Sequence, residues 1–267
     1  MLKDHVQIFF DNYDYRRSIQ WLQDHQTFML VTIVVYLTTI LGIRRWLENR
    51  KGFELRTALT LWNAGQAVFS VIGVMNTAPM LWHVIQTHGF SYTYTHINEF
   101  HRDPQAGYWA FLWVVSKFTD LGDTIFIVLR KRPLTLMHVW HHVAAVFGVF
   151  ISYSLGNAFL DWYVTLNYLV HSWMYTYFAL RAMNFNVPGR AAELVTLAQI
   201  LQMSFWNMLF AHLIYLILTT NEQIDVTAFG LSFGIFGTDT LLYLWFSFYY
   251  DSYYKNGGKK YSLHNSN

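Results

Sequence analysis

The sequence predicts an all-α, polytopic membrane protein: seven transmembrane helices forming a barrel or bundle around a polar chamber near the cytosolic side. Three observations predict it. Of 267 residues, 54% are hydrophobic and only 13% charged, against about a quarter charged in a soluble domain. Apolar runs near the ~20 residues that a spanning helix needs recur along the chain. Lys and Arg alternate between the connections, as the positive-inside rule requires of a multi-pass protein.

The apolar runs fall at 27–43, 58–82, 107–129, 135–154, 157–180, 191–218 and 227–250. Gly and Pro punctuate the connections, as in RKRP at 130–133, SLGN at 154–157 and NFNVPGR at 184–190. Aromatic residues make up 19% of the chain, which suits a protein with Trp and Tyr at the water boundary. Residues 1–26 are too polar for a cleavable signal peptide, so the first apolar run is expected to target the chain. The whole chain, 1–267, reads as one integral membrane domain.

The connection after the first run holds Arg44, Arg45, Arg50, Lys51 and Arg56, whereas 83–106 holds only Arg102. Arg130, Lys131 and Arg132 follow, then Arg181 and Arg190, and finally Lys255, Lys259 and Lys260; the intervening connections carry none. Lys3, Arg16 and Arg17 precede the first run. This alternation puts the N-terminal segment 1–26 on the non-cytosolic side and the tail 251–267 in the cytosol. A net charge of +2 gives no basis for a nucleic-acid partner. The chain has no Cys, which excludes disulfides, Cys-ligated metals, S-palmitoylation and a Cys nucleophile.

Ionisable residues inside a span are expensive and usually functional. The third run carries Lys117, Asp120 and Asp123, the fourth His138, His141 and His142, the fifth Asn167 and His171, and the sixth Gln199 and Gln202. Counted from the basic boundaries at ~1.5 Å per residue, Asp123, His138, His141, His142, His171, Gln199 and Gln202 lie at depths of about 8–18 Å on the cytosolic half. Within each helix they are spaced three or four residues apart and so share a face. Independent sites would not share both a depth and an inward face. Plainer readings stand beside the functional one. The histidines could each bond a neighbouring helix. Lys117 and Asp120 could be a neutralising ion pair, and Gln199 and Gln202 interhelical glue. His83, His88, His96 and His101 fall in the 83–106 connection, where a solvated loop is expected rather than a metal site, because tight ligand spacing is missing.

Four motifs carry a resemblance: KFTDLGDT at 117–124, HVWHH at 138–142, NYLVHSWMYTYF at 167–178 and TLAQILQ at 196–202. In order and spacing they resemble the ELO family of very-long-chain fatty acid elongases, the membrane-bound 3-ketoacyl-CoA synthases. The stretch KGFELRTALTLWNAGQAVFSVIGV at 51–74 resembles the subgroup acting on saturated and monounsaturated palmitoyl-type acyl-CoAs. Phe178 stands where the family usually has Tyr, and the tail KKYSLHNSN lacks a family-type dilysine signal. Residence in the endoplasmic reticulum membrane, with a lumenal N-terminus, is therefore what the resemblance alone implies.

The resemblance implies condensation of a long-chain acyl-CoA with malonyl-CoA, giving a 3-ketoacyl-CoA, CO2 and CoA. It puts the acyl group on His141. His171 would then face it and stabilise an enolate or oxyanion, while His138 and His142 orient His141. Asp120 and Asp123 would fix imidazole tautomers, and Lys117, Asn167, Tyr175, Gln199 and Gln202 would hold substrates. No metal and no cofactor is expected beyond the two CoA thioesters. Candidate partners are the bilayer, a second copy of the chain and the other enzymes of the elongation cycle. Two rivals remain at this point. The histidine box could hold metal, as in membrane desaturases and hydroxylases, although two irons need about eight ligands and only four histidines, with a doubtful His212, are at hand. The chain could also be a seven-span transporter or receptor.

Overall fold

Apolar runs become helices here because a backbone buried from water must satisfy its own polar groups. The computed structural model describes residues 6–255, and every regular element among them is helical. Lys3, Lys259, Lys260 and the tail beyond 255 lie outside the described residues.

A short amphipathic helix, α1 (Tyr15–Asp24), starts at Asp14, whose Oδ1 accepts the Arg17 N–H at 2.7 Å. It buries Ser18 and Leu22. Helix α2 (Gln26–Trp46) follows, and Leu30, Val31, Val34, Val35 and Leu41 face outward along it. Helix α3 (Arg56–His88) runs past the apolar segment at both ends and contains Pro79. Its 33 residues span ~50 Å, more than a bilayer core of ~30 Å. Hydropathy marks only the immersed part, which is why the predicted run stops at 82.

The connection 83–106 is not the solvated loop that the sequence suggests. Residues 83–88 continue α3, and beyond them two single turns, α4 (Tyr92–Thr95) and α5 (Glu99–Arg102, capped by Asn98), bury Tyr94, Asn98, Phe100 and His101. Four long helices complete the bundle: α6 (Ala106–Leu129), α7 (Leu136–Ser154), α8 (Leu160–Ala182) and α9 (Gly189–Thr219). The last, α10 (Ala228–Tyr249), continues into a π-helical turn, Tyr250–Tyr254. Thr135, just past Pro133, caps α7 by accepting the His138 N–H at 3.2 Å. Gly156, at φ +67°, lets the chain reverse between α7 and α8.

Among the described residues, five helices (α2, α3, α7, α9 and α10 with its π turn) are long and apolar enough to cross a membrane. The sequence predicts seven. Helices α6 and α8 fall short because α6 carries Lys117, Asp120 and Asp123, and α8 carries Asp161, Asn167, His171 and Arg181. Much of this polarity is turned inward, since Lys117, Asp120, Asp161 and Asn167 are buried.

The most extensive helix pair is α3 on α8. The buried stripe of α3, Asn63, Ala67, Ser70, Gly73, Thr77, Leu81 and Val84, begins with small and polar residues. Small side chains let membrane helices approach closely. A Cβ at Gly73 would lie 2.5 Å from the Tyr168 ring. Elsewhere the core is aromatic, with Trp113, Phe111, Phe150, Tyr153, Phe159 and Phe210 almost fully buried.

Candidate active site

The site is built outward from α6. Lys117 and Asp120, one turn apart, form a buried ion pair at 2.8 Å. The Lys117 ammonium also donates to Asn167 Oδ1 at 3.0 Å and sits 5.1 Å from the centre of the Trp113 ring. Trp113 Nε1 donates to the same Asn167 oxygen at 2.7 Å. Gln66, from α3, donates to the other Asp120 oxygen at 2.9 Å. A buried charge pair is tolerable only when its remaining lone pairs and protons are satisfied, as these are.

Asp123, one further turn along, accepts from Trp62 Nε1 at 2.6 Å and from the Tyr175 hydroxyl at 2.7 Å. This corrects the expectation that Asp120 and Asp123 fix imidazole tautomers: their hydrogen bonds go to Lys117, Gln66, Trp62 and Tyr175. A hydroxyl meets the histidine box instead. Thr124 Oγ1 is 2.9 Å from His138 Nε2, and Tyr36 of α2 bonds Thr124 at 2.8 Å.

On α7 the three imidazoles form one cluster. His138 and His142 have ring centres 4.3 Å apart, and His141 meets His142 edge-on at 5.5 Å. His141 also meets the Trp245 ring edge-on at 5.3 Å. Trp245 Nε1 donates to Gln199 Oε1 at 3.0 Å, and Gln199 Nε2 reaches the Met174 sulfur at 3.3 Å. Gln199 is thus interhelical glue between α8, α9 and α10. Gln202 is buried, and its Nε2 has no hydrogen-bond partner among the described residues. His171 packs edge-on to Tyr175 at 5.3 Å, and Asp120 lies within electrostatic reach of both His171 and His141.

An internal cavity of about 80 Å³ begins at this layer. Lys117, His141 and Asn167 supply its polar end. From there it runs between α7, α8, α9 and α10, past Ala144, Gly148, Tyr163, Met203, Trp206 and Phe233, to Ser152, Phe159 and Leu160. The wall is apolar, as suits an alkyl chain. Behind its far end, Asn157 donates to the Ser152 carbonyl at 2.9 Å and accepts the Thr227 N–H at 2.7 Å. Tyr153 shares hydrogen bonds with Tyr13 at 2.9 Å and Ser18 at 3.2 Å.

Three further described histidines lie apart from this layer. His212 Nδ1 bonds the Tyr94 hydroxyl at 2.7 Å, so it belongs with α4 and not with the box. His88 meets Glu99 at 2.9 Å. His101 is buried, with Nε2 3.2 Å from Asp161 Oδ1. Burial, with the Arg102 charge adding to it, pushes the His101 pKa down to about 3. Among the described residues, no three His, Cys, Asp or Glu side chains converge as a metal site requires. Phe178 is 46% exposed, so a Tyr hydroxyl there would point away from the chamber.

The arrangement therefore joins an imidazole cluster and a buried cation to one end of an apolar cavity. A family model described as ELO: GNS1/SUR4 family matches residues 21–261. The chain belongs to the ELO family. Curated relatives agree with this. It is 32% identical over 260 residues to a Drosophila melanogaster protein named very long chain fatty acid elongase 6, covering 94% of this chain and 80% of that one. It is 33% identical over 240 residues to long chain fatty acid elongase 1 of Caenorhabditis elegans, covering 90% and 83%. It is 39% identical over 186 residues to very long chain fatty acid elongase 6 of Gallus gallus, covering 70% of each.

In this ELO chain, sequence reasoning missed Trp62 and Gln66, which hold the two aspartates from α3. It also missed Trp113, Trp245, Tyr163 and Trp206. For Trp62 and Gln66 a signal existed: they lie four residues apart, the same-face spacing that singled out Asn167 and His171. The tryptophans carried no such signal, because an aromatic residue in an apolar run reads as packing.

Proposed function

We propose that this ELO protein is a fatty acid elongase that condenses a long-chain acyl-CoA with malonyl-CoA, releasing CO2 and CoA. The observation that carries the reading is His141 at the polar head of an apolar tunnel, in a chain without cysteine. In the first half-reaction the His141 imidazole attacks the thioester carbonyl. The carbon–sulfur bond breaks, CoA leaves as a thiol, and the acyl group stays on His141 as an acyl-imidazole. In the second, malonyl-CoA loses CO2. The enolate carbon attacks the acyl carbonyl, the carbon–nitrogen bond breaks, the leaving nitrogen takes up a proton from water, and 3-ketoacyl-CoA departs with the imidazole restored.

Lys117 is the cation nearest the developing oxyanion, held by Asp120 and Asn167 so that it enters the tunnel mouth already oriented. His142 braces His141 through a ring contact and is packed in turn on His138, which Thr124 holds. His171 serves the enolate, on the strength of its electrostatic proximity to His141 and Asp120. Tyr175 and Gln199 act through the helices they tie together, and Gln202 retains a free donor for substrate. The chemistry runs without metal.

The same reading makes α6 and α8 membrane spans, seven in all, with their polar faces shielded by the bundle. The tunnel mouth then opens to the cytosol, the N-terminus is lumenal and the membrane is that of the endoplasmic reticulum. The Lys and Arg fringe around 44–56 and 130–132 suits CoA phosphates.

The test uses purified protein in detergent. Palmitoyl-CoA alone should release CoA in a burst close to one equivalent, and labelled malonyl-CoA should then put label into a 3-ketoacyl product. His141→Ala should abolish the burst, whereas His171→Ala should keep part of it while failing to condense. A His141→Ala enzyme that still gives the burst and the product would remove His141 as the nucleophile.

A further inference from the structure

Two polar atoms in the tunnel wall have no use in the reaction just described. The Tyr163 hydroxyl and the Trp206 indole N–H are buried, and neither has a hydrogen-bond partner among the described residues. The two rings stack face to face, with centres 3.8 Å apart and planes 5° from parallel. Both line the cavity. An unpaired buried donor is destabilising, and native structures hold few of them. Phenylalanine at either position would keep the stack without that cost. Other polar groups along this cavity, the reacting His141 apart, are satisfied within the protein: Trp113 by Asn167, and Thr238 by Asn207 and the Gly234 carbonyl.

The depth of the pair is defined by the helix. Tyr163 precedes His171 by eight positions on α8, which sets it roughly 12 Å beyond the histidine layer. An extended acyl chain anchored at His141 reaches that depth near the middle of a long-chain acyl group. The tunnel wall is otherwise apolar there, with Gly148 and Met203 alongside.

We propose that Tyr163 and Trp206 are specificity residues which recognise a hydrogen-bond acceptor near the middle of the acyl chain. Indole N–H can only donate, so the matching group must accept. In an acyl chain that group is either the π cloud of a cis double bond or the oxygen of a mid-chain hydroxyl; both take N–H or O–H donors, the former more weakly. The inference rests on the tunnel holding the acyl chain, and so on the proposed function. It adds a means of sensing chain chemistry separate from chain length.

The experiment measures binding and turnover apart. Non-hydrolysable thioether analogues of stearoyl-, oleoyl- and mid-chain hydroxystearoyl-CoA are titrated against wild type, Tyr163→Phe and Trp206→Phe. Positional isomers, with the double bond moved toward either end, are included. Wild type should bind the mid-chain acceptors several-fold more tightly than the saturated chain and lose that ratio when the acceptor is moved. Tyr163→Phe and Trp206→Phe should bind the saturated chain as well as wild type and bring the ratio toward one. The gain with both oleoyl and hydroxystearoyl chains, or with only one, tells which acceptor is read. Tyr163→Phe should also be no less stable than wild type, since it deletes an unpaired hydroxyl; a purely structural role would make it less stable. An unchanged ratio in both variants, or the same ratio for every isomer, overturns the proposal. Retained preference without any elongation of acyl-CoA would instead count against the proposed reaction and leave this recognition standing.

Discussion

Replacing Lys117 with Met tests the frame of the site directly. Lys117 and Asp120 are 4% and 7% exposed, and their 2.8 Å contact is supplemented by Asn167 on one side and Gln66 on the other. Removing one partner of a buried pair costs ~3–5 kcal/mol, because the other charge is left uncompensated. Here Asp120 keeps the Gln66 donor, and Lys117 keeps Asn167 and the Trp113 ring, so each single change falls at the lower end, ~3 kcal/mol. For a protein of this size that is a drop in Tm of roughly 6–12 °C. The double variant Lys117→Met, Asp120→Asn removes both charges and should cost far less than the ~6 kcal/mol sum of the singles. Thermal unfolding of the four proteins in one detergent, followed by intrinsic tryptophan fluorescence, measures the cycle. Strictly additive shifts, or a Lys117→Met protein as stable as wild type, would refute the coupling. Elongation should be lost in all three variants whatever their stability.

Other outcomes follow from the same geometry. Phe233→Ala widens the tunnel beside Gly148 and should shift products to longer chains, whereas Gly148→Ala, whose Cβ would collide with the Phe233 ring, should shorten them; product profiles by mass spectrometry decide both. Asn157→Ala removes a fully buried side chain that bonds the Ser152 carbonyl, the Thr227 N–H and the Thr227 hydroxyl, and should cost ~2–3 kcal/mol in unfolding measurements. His101 has a folded pKa near 3 against an ordinary 6.5, so the unfolded chain takes up the proton first. Its contribution is therefore full above pH 6.5 and is lost as pH falls toward 3, at about 1.4 kcal/mol per unit. Melting curves from pH 7 to 5 should fall for wild type, and the part of that fall due to this residue should vanish in His101→Asn.

Long apolar runs made the helix positions legible, and the ends of α6, α7, α9 and α10 lie within two residues of where hydropathy puts them. Polarity inside a span made Lys117, Asp120, His141 and Asn167 legible as one layer, because each would be too costly if it faced lipid. The partners of that layer were not. Hydropathy does not say which face of α3 turns inward, so Trp62 and Gln66 passed as ordinary residues of an apolar run. The segment 83–106 misled for the opposite reason. Its average polarity suggests solvent, yet Tyr94 and Phe100 each need burial, and in satisfying them the turns carry Asn98 and His101 inside. His101 and Asp161 are distant in sequence, and no local pattern links them.

The proposed reaction lays the acyl tail in a cavity whose far end is backed by the hydrogen bonds of Asn157 and Tyr153. In a passage with one door, traffic sets the order of events. On the proposed reaction, a tail enters first and goes deepest, and the CoA it arrives with withdraws before malonyl-CoA takes the same doorway. The finished chain has to back out by that route, trailing its new carbons last. A protein working in this way would not pass a growing chain along as a processive polymerase does. Each lengthening would be a separate visit, and a chain whose tail already touched the floor would have no room to re-enter on the next. Growth then stops through lack of space, without any group that recognises a completed product.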